Sequence, residues 1–233
     1  MKTDLPKVAV KLAGKPMILH VLDHLIEAGV KKIVLIVGHQ KEMVMSLIPE
    51  YDGVTIAYAH QVEQLGTGHA ALTAEQAFSS FQGNVIVASG DQPLISSKTF
   101  ANLYETHKNE KNQATVLSTF MENPSGYGRL ERDAARKLLR IVEEKDATEE
   151  VKKIKEVNTG TYVFRSPEIF SVLKEVKPVN KQGEFYLTDV ISIIRNKGQE
   201  VNSFLIYNPD EAFGANSVEE LQILEEKYRK LKG

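Results

Sequence analysis

The sequence predicts an α/β protein in which a mainly parallel, mixed β-sheet is flanked by helices. Two kinds of segment, which alternate along the sequence, predict this class. Short runs rich in β-branched residues, such as Lys31–Val37 and Asn84–Ser89, alternate with segments whose apolar residues recur at helical spacing. Strands that alternate with helices are typical of right-handed βαβ units. In such sheets ligands bind beyond the carboxyl ends of the strands, so the residues that follow each strand are the first candidates for a functional site.

The elements of the first part follow from these periodicities and from local stop signals. A helix is expected between Pro16 and Gly29, because proline is favoured in the first turn of a helix and glycine just past its end. Pro93 prevents the last strand of this part from continuing. The other elements predicted here are a strand at Lys31–Val37, a helix at Lys41–Ile48, a strand at Val54–Ala59, a turn at Gly66–Gly68, a helix at His69–Phe78 and a strand at Asn84–Ser89.

After about residue 110 the pattern changes to that of a small α+β lobe. A hairpin is predicted from Arg129–Arg132 and Leu138–Glu143, although local propensity alone also allows a helix there. Ser217 and Glu220 have the spacing of a capping box at the start of the last helix. The other predicted elements are strands at Ala114–Phe120, Thr159–Phe164 and Val201–Tyr207, a helix opened by Ser166-Pro167-Glu168 and a helix at Leu187–Arg195. We expect one domain over residues 1–233, divided into residues 1–110 and 111–233.

Composition excludes several classes of function. Of the 233 residues, 42% are hydrophobic, which is enough for a substantial core. The formal net charge is −2 with both signs spread along the chain, so neither a nucleic-acid-binding arm nor a polybasic membrane patch is expected. The sequence has no cysteine, which excludes disulfides and thiolate metal sites and fits a cytoplasmic location. The start has no apolar signal-peptide core, and runs such as Ile33–Val37 are too short to span a bilayer.

Asp91 is the clearest single candidate for chemistry. It follows an apolar strand and Gly90, whose small size leaves room for a ligand to approach. A carboxylate at the carboxyl end of a strand suits Mg²⁺, a hard cation that takes one or two protein oxygens together with substrate phosphates. The alternative is an aspartate that only shapes the turn before Pro93.

Other candidates are weaker when each is taken alone. The small residues at Gly66–Gly68 precede a helix, whose first N–H groups favour an anion, but most such glycines only form turns. Lys7 could bind phosphate or be a solvated surface lysine. Glu143 is most simply part of a charge run, and His69 a core or capping residue. The residues alone therefore indicate an α/β protein that binds a phosphorylated ligand with a divalent cation.

Eight short motifs in order along the chain resemble the sugar-1-phosphate nucleotidyltransferase superfamily. They are most similar to the uridyltransferase domain of the bifunctional N-acetylglucosamine-1-phosphate uridyltransferase/glucosamine-1-phosphate acetyltransferase family. Each motif is weak alone, but their order across nearly the whole chain is specific. The motifs are Asp4-Leu-Pro-Lys-Val8, Leu12-Ala-Gly-Lys-Pro-Met17, Gln64-Leu-Gly-Thr-Gly-His-Ala70, Gly90-Asp91 with Pro93-Leu94, Gly126-Tyr-Gly-Arg129, Ile141-Val-Glu-Glu-Lys-Asp-Ala147, Asn158-Thr-Gly160 and Gly183-Glu-Phe-Tyr-Leu-Thr-Asp189.

The resemblance implies a Rossmann-like fold whose first half binds nucleotide and whose small lobe, after residue 110, binds the sugar. Asp91 and Asn216 would be the two protein ligands of Mg²⁺, and Asp91 and Lys7 would be catalytic. The implied substrate contacts are Lys7 with phosphate, Gln61, Gly66 and Thr67 at the uracil end, Ser89, Gly90 and Asp91 at the nucleotide, Gly128, Glu143 and Asn158 at the N-acetylglucosamine, and Asn216 with the metal.

The implied reaction joins UTP and N-acetylglucosamine 1-phosphate to give UDP-N-acetylglucosamine and pyrophosphate, with Mg²⁺ as cofactor. The sugar phosphate would attack the α-phosphorus in line, and positioning and charge neutralisation would supply most of the rate. No general base is expected, because the attacking phosphate is already an anion. Such a product would serve peptidoglycan synthesis in the cytoplasm, without nucleic-acid or membrane partners.

The chain also departs from the family pattern. The opening strand and its Gly-x-Gly-Thr-Arg loop, which hold the β- and γ-phosphates, are expected before Met1, and their loss should weaken the grip on the triphosphate and unpair a neighbouring strand. The C-terminal hexapeptide repeats are missing as well, so we expect no acetyl transfer and a monomer or weak oligomer. Ser89 and Gln92 replace the usual aromatic and apolar residues, which affects the base-side fit. Two alternatives therefore remain, an impaired sugar-nucleotide-binding module and a pyrophosphorylase for another sugar 1-phosphate.

Overall fold

The computed structural model describes residues 5–215 and 217–232. A short 3₁₀ turn at Lys7–Ala9 precedes the first strand. The strands are β1 (Lys11–Leu12), β2 (Lys15–Pro16), β3 (Lys32–Val37), β4 (Thr55–His60), β5 (Gly83–Val87), β6 (Ala114–Phe120), β7 (Arg129–Arg132), β8 (Leu138–Val142), β9 (Glu156–Ser166) and β10 (Val201–Ile206). The helices are α1 (Met17–Glu27), α2 (Lys41–Leu47), α3 (Thr67–Leu72), α4 (Ser97–Glu110), α5 (Glu149–Lys152), α6 (Glu168–Leu173), α7 (Asp189–Asn196) and α8 (Val218–Lys232).

Six strands form the main sheet in the order β10-β6-β9-β7-β8, with β5 also pairing with β9. Strands β6 and β10 run parallel, as do β3 and β4 in a separate pair, whereas β9 runs antiparallel to β5, β6 and β7. The predicted α/β class, with a mixed sheet flanked by helices, is confirmed.

Strand β9 organises the main sheet because its residues alternate between two cores. Val163 packs with residues of α1 and α4 on one face, while Tyr162 and Phe164 pack with α6 and α7 on the other. Gly160 sits midway along the strand at φ +82°, next to an irregularity in the pairing with β6. Since this φ suits glycine, the residue lets β9 turn from β5 towards β7.

The sheet is interrupted between β3 and β5. In the described part of the chain β3 pairs only with β4, and β5 pairs only with β9. A cavity of about 590 Å³ lies between them, and its lining includes every residue of β3 from Lys32 to Val37 and most of β5. The cavity therefore separates the two strands, which share no hydrogen bonds with each other in the described residues.

Several boundaries differ from the sequence predictions. Helix α4 was not predicted, although Ser96 caps it by accepting a hydrogen bond from Thr99 N at 3.2 Å. The predicted helix at His69–Phe78 divides into α3 and a 3₁₀ turn at Glu75–Phe78. The hairpin of β7 and β8 forms as predicted, and Ser217 Oγ accepts from Glu220 N at 3.1 Å at the start of α8. In the described ranges no helix is both long and apolar enough to cross a membrane.

Candidate active site

The first group of candidate residues follows β5, at its carboxyl end. Ser89 Oγ lies against the backbone of Gly160 in β9, since a Cβ built on Gly160 would be 3.2 Å from it. A Cβ on Gly90 would lie 2.8 Å from Ile18 Cδ1 and 3.2 Å from Val8 Cγ1. Packing against these side chains is therefore a structural reason for glycine at position 90, in addition to the ligand space expected from the sequence.

Asp91 and Lys7 meet at this strand end. Lys7 Nζ contacts Asp91 Oδ2 directly, and the two side chains keep 32% and 27% of their surface exposed, so a ligand can reach both. Gly214 packs on the same turn, because a Cβ there would be 3.1 Å from Asp91 O. Asn216, the second predicted metal ligand, lies outside the described residues. One accessible carboxylate beside a lysine is a donor set that fits Mg²⁺ carried in with phosphate oxygens.

The predicted uracil-side residues form a compact loop after β4. Gln61 N donates to Val37 O at 2.8 Å, which ties this loop to β3. The Gln61 side chain donates to Gly66 O at 3.1 Å and lies 3.1 Å from His69 Nδ1. Thr67 Oγ1 accepts a hydrogen bond from Leu187 N at 3.0 Å. The structure therefore brings Gln61, Gly66 and Thr67 together, with the Thr67 hydroxyl in contact with the second half of the chain.

The predicted sugar-side residues also come together. A Cβ on Gly128 would lie 3.3 Å from Glu143 Oε2, so the glycine backbone faces the carboxylate. Asn158 N donates to Gly128 O at 2.8 Å. The Asn158 side chain donates to Tyr162 Oη at 2.7 Å and accepts from Gly160 N at 2.9 Å. The Asn158 side chain therefore has defined partners, and its backbone amide links it to Gly128, which faces Glu143.

Glu143 has an unusual electrostatic environment. Burial raises its pKa, a hydrogen bond from Thr188 lowers it, and the nearby charges of Asp189 and Asp146 raise it further. Thr188 Oγ1 donates to Glu143 Oε1 at 3.1 Å. Burial also raises the pKa of Asp189, with a contribution from the charge of Asp146. A half-buried carboxyl with a raised pKa suits hydrogen bonding to a neutral polar ligand.

The contacts of Thr188 and Gln92 in this region were not predicted from the sequence. Thr188 contacts Glu143 directly, but a lone threonine in a loop gives no pattern that could have indicated this. The buried Gln92 side chain donates to the carbonyl of Thr159 in β9 and, at 3.5 Å, to that of Ala212. The unusual residue at position 92 thus connects the turn after β5 with β9 and with the segment that leads to α8.

Tyr127 connects the two groups of candidates. Burial raises the pKa of its phenol, and the charges of Glu220 and Asp91 raise it further, which places this side chain within electrostatic range of Asp91. The next residue, Gly128, faces Glu143. Tyr127 and Gly128 thus adjoin each other in the chain, one influenced by the charge of Asp91 and the other facing Glu143. The individual roles of the site residues stay predictions.

Known proteins are similar to this chain over most of its length. The family model described as nucleotidyl transferase matches residues 2–208. The chain is 42% identical over 232 residues to the bifunctional protein GlmU of Syntrophomonas wolfei, covering 100% of this chain and 51% of that protein. It is 43% identical over 230 residues to the bifunctional protein GlmU of Caldanaerobacter subterraneus, covering 99% and 49% respectively. The chain thus spans about half the length of the curated relatives it matches.

Solved structures share the fold. A crystal structure of apo UDP-glucose pyrophosphorylase aligns with a TM-score of 0.75 at 18% identity, covering 98% of this chain and 92% of that one. The same enzyme complexed with UDP-glucose aligns with a TM-score of 0.72 at 19% identity, covering 97% and 91%. At such identities the likeness concerns the fold alone. On the match of the family model to most of its length, the chain belongs to the nucleotidyl transferase family.

Proposed function

We propose that this chain is a uridyltransferase that forms UDP-N-acetylglucosamine and pyrophosphate from UTP and N-acetylglucosamine 1-phosphate. The observation that carries the proposal is the contact between Lys7 and Asp91 at the carboxyl end of β5. The 42% identity to a bifunctional protein GlmU supports the same substrates. The 18% identity to UDP-glucose pyrophosphorylase gives less support to a glucose substrate.

The chemistry requires little from the protein beyond binding and charge neutralisation. A phosphate oxygen of the sugar phosphate forms a bond to the α-phosphorus of UTP, and the bond to the departing pyrophosphate breaks. Lys7 would offset negative charge on the phosphates, and Asp91 with Asn216 would hold Mg²⁺. When bound, the cation neutralises charge on the reacting phosphates. The attacking oxygen is already anionic, so none of the site residues needs to remove a proton.

The sugar side would recognise the N-acetylglucosamine through hydrogen bonds. Glu143 would bond sugar hydroxyl or amide groups, and Asn158 would be held ready for the same purpose by Tyr162 and the Gly160 amide. Gly128 would leave room for the sugar above Glu143. Buried polar groups that lose their ligand partner are costly, so this pocket would reject sugars that lack the matching groups.

A second candidate is a sugar-nucleotide-binding module with little turnover. One observation favours it. Val8 and Gly90, next to the Lys7–Asp91 pair, line the cavity between β3 and β5, so the phosphate side is less firmly supported than the sugar side. A metal–phosphate site that is free to move by an ångström loses much of its rate advantage. Product binding without pyrophosphate release would favour this candidate.

Pyrophosphate release tests the proposal. The full chain is mixed with UTP, Mg²⁺ and a panel of sugar 1-phosphates, and product is quantified. Asp91→Asn should reduce turnover by about a hundredfold or more, since a metal ligand contributes several kcal/mol of charge stabilisation. Asp52→Asn, at an exposed turn before β4, serves as the control and should retain activity. Full activity of Asp91→Asn would contradict the assignment, and preference for glucose 1-phosphate would contradict the substrate.

The remaining predictions concern the oligomeric state and the cellular role of the protein. We infer a monomer or weak oligomer that acts in the cytoplasm and feeds cell-wall precursor synthesis. Sedimentation of the chain at several concentrations tests the oligomeric state, and a stable trimer would contradict it. The division into a nucleotide half, residues 1–110, and a sugar half, residues 111–233, also stays a prediction.

A further inference from the structure

We propose that Thr67 is a positioning residue for Glu143, acting through the segment Phe185–Thr188. Its hydroxyl fixes the Leu187 amide, and this segment directs the Thr188 hydroxyl at the Glu143 carboxylate. The proposal rests on the proposed function only for the statement that Glu143 faces the sugar. Its contacts stand independently of that statement.

Main-chain hydrogen bonds join the loop before α3 to this segment. Gly68 N donates to Phe185 O at 2.7 Å, and Phe185 N donates to Leu65 O at 2.8 Å. Leu187 N then donates to Thr67 Oγ1 at 3.0 Å, between residues 120 positions apart in the chain. Three hydrogen bonds therefore connect this loop to the segment. Thr67 contributes its side-chain hydroxyl to one of them, and the other partners are backbone groups.

The two backbones also touch, so they cannot shift independently. A Cβ on Gly66 would lie 2.6 Å from Phe185 O and 2.9 Å from Phe185 N. A Cβ on Gly68 would lie 3.0 Å from Phe185 O. These are contacts with main-chain atoms, which cannot move aside as the end of a side chain can. The glycines are therefore needed for the approach of the segment, a role distinct from contact with nucleotide.

The segment continues directly to Glu143. Leu187 and Thr188 are 5% and 3% exposed, so the amide that Thr67 binds and the hydroxyl that meets Glu143 are both shielded from water. Thr188 Oγ1 donates to Glu143 Oε1 at 3.1 Å. A buried amide needs a partner, and a water molecule cannot readily replace one in this position. Loss of the Thr67 oxygen should therefore displace Leu187, and Thr188 with it.

Thr67→Val keeps the shape of the side chain but removes the acceptor. Among the described contacts this change removes the Leu187 hydrogen bond and leaves the backbone contacts of Gly66 and Gly68 in place. Thr67→Ser retains the hydroxyl and should behave as the wild type. The matched control is Thr73→Val, because Thr73 Oγ1 donates only to Ala70 O, at 2.7 Å, just after the same helix. An effect of Thr67→Val that Thr73→Val does not show is then due to loss of the hydrogen bond to Leu187.

The first experiment needs no ligand. In the full chain, Thr67→Val should speed hydrogen exchange of the Leu187 amide by about tenfold, the loss of one hydrogen bond, and should raise the pKa of Glu143 in a carboxyl NMR titration, because the Thr188 bond that lowers it is weakened. Thr67→Ser and Thr73→Val should leave both unchanged. Unchanged exchange and titration in a folded Thr67→Val protein would overturn the proposal.

The second experiment measures sugar binding and nucleotide binding separately. In calorimetry, Thr67→Val should weaken binding of N-acetylglucosamine 1-phosphate by about fivefold to tenfold and change UTP binding by less than about twofold. Thr188→Val should give the same loss, and the double variant should lose no more than either single one. Weaker UTP binding with unchanged sugar binding would overturn the proposal in favour of a uracil contact. If the wild type binds neither ligand, the proposed function fails, while the exchange and titration results still decide the role of Thr67.

Discussion

The Glu143 side of the candidate site stands on paired strands, whereas the Asp91 side stands at the edge of a cavity. A backbone hydrogen bond joins Asn158, in β9 of the six-stranded sheet, to Gly128, which directly precedes β7. Asp91 follows β5, whose edge towards β3 has no partner strand in the described residues. In the described residues, strand pairing therefore supports the Glu143 side more fully than the Asp91 side.

The same contrast separates the two parts of the core. Leu117 in β6 is fully buried between helices and neighbouring strands. Leu35 in β3 is half-buried and lines the cavity of about 590 Å³. A side chain that borders a cavity has fewer neighbours to lose when it is shortened. The same substitution should therefore lower the free energy of unfolding by different amounts in the two parts.

The largest expected difference is between Leu117→Ala and Leu35→Ala. Leu117→Ala should lower the free energy of unfolding by about 3–5 kcal/mol, since it creates a new cavity in a packed core. Leu35→Ala should cost only about 1 kcal/mol, since it enlarges a cavity that already exists. Urea denaturation with matched slopes measures both. Equal losses in the free energy of unfolding would mean that β3 is as well packed as β6. The two parts of the core would then not differ.

Ion pairs provide the second comparison. Arg132 donates to both carboxylate oxygens of Glu156, at 2.8 and 2.6 Å, and to Ser203 Oγ at 2.6 Å. The Arg132 and Glu156 side chains are 24% and 10% exposed. The Lys7 and Asp91 side chains are more exposed, at 32% and 27%. Arg132→Met should cost about 2–3 kcal/mol, because it leaves Glu156 charged and poorly solvated. Lys7→Met should cost less than about 1 kcal/mol.

Denaturation at two salt concentrations provides the check on this second comparison. The Lys7 contribution should shrink as salt rises, while that of Arg132 should change little, because partly buried pairs are screened less. A loss for Lys7→Met as large as that for Arg132→Met would show that the phosphate side is held as firmly as the main sheet.

How much of this could be predicted from sequence depends on the range of the interaction. Apolar periodicity predicted β3, β5 and β6, because it reflects burial of each segment. Helix α4 was missed since its sequence, with buried positions such as Thr99, Phe100 and His107, is largely polar. The direction of β9 and its bend at Gly160 depend on pairing with distant strands, which no local pattern contains.

The site shows the same limit at the level of single residues. The eight ordered motifs led to Asp91, Glu143 and Asn158, because a family pattern carries chemistry along with position. They did not indicate that the Thr67 hydroxyl faces Leu187 or that Thr188 meets Glu143, since each contact joins segments far apart in the chain. Thr67 and Gly66 belong to a motif of the first half, yet the Thr67 hydroxyl and the Gly66 Cα also contact the second half.

The smallest expected effect concerns pH and belongs to the sugar side. Because burial raises the pKa of Glu143 above its ordinary value of 4.5, the folded protein binds this proton more tightly than the unfolded chain does. Stability from this group is therefore fully present below pH 4.5 and is lost as pH rises through the folded pKa. Glu143→Gln, which is neutral at every pH, should be more stable than the wild type at pH 7, and this difference should close as pH falls to about 4.5.

Denaturation of both proteins between pH 4 and pH 8 measures that difference, with Glu63→Gln, at an exposed position, as the control. The control should follow the wild type throughout, since an exposed carboxylate has nothing to gain from neutralisation. A Glu143→Gln protein that is less stable than the wild type at pH 7 would mean that the bond from Thr188 outweighs burial. The folded protein would then favour the charged carboxylate, and burial would not be the main influence on its pKa.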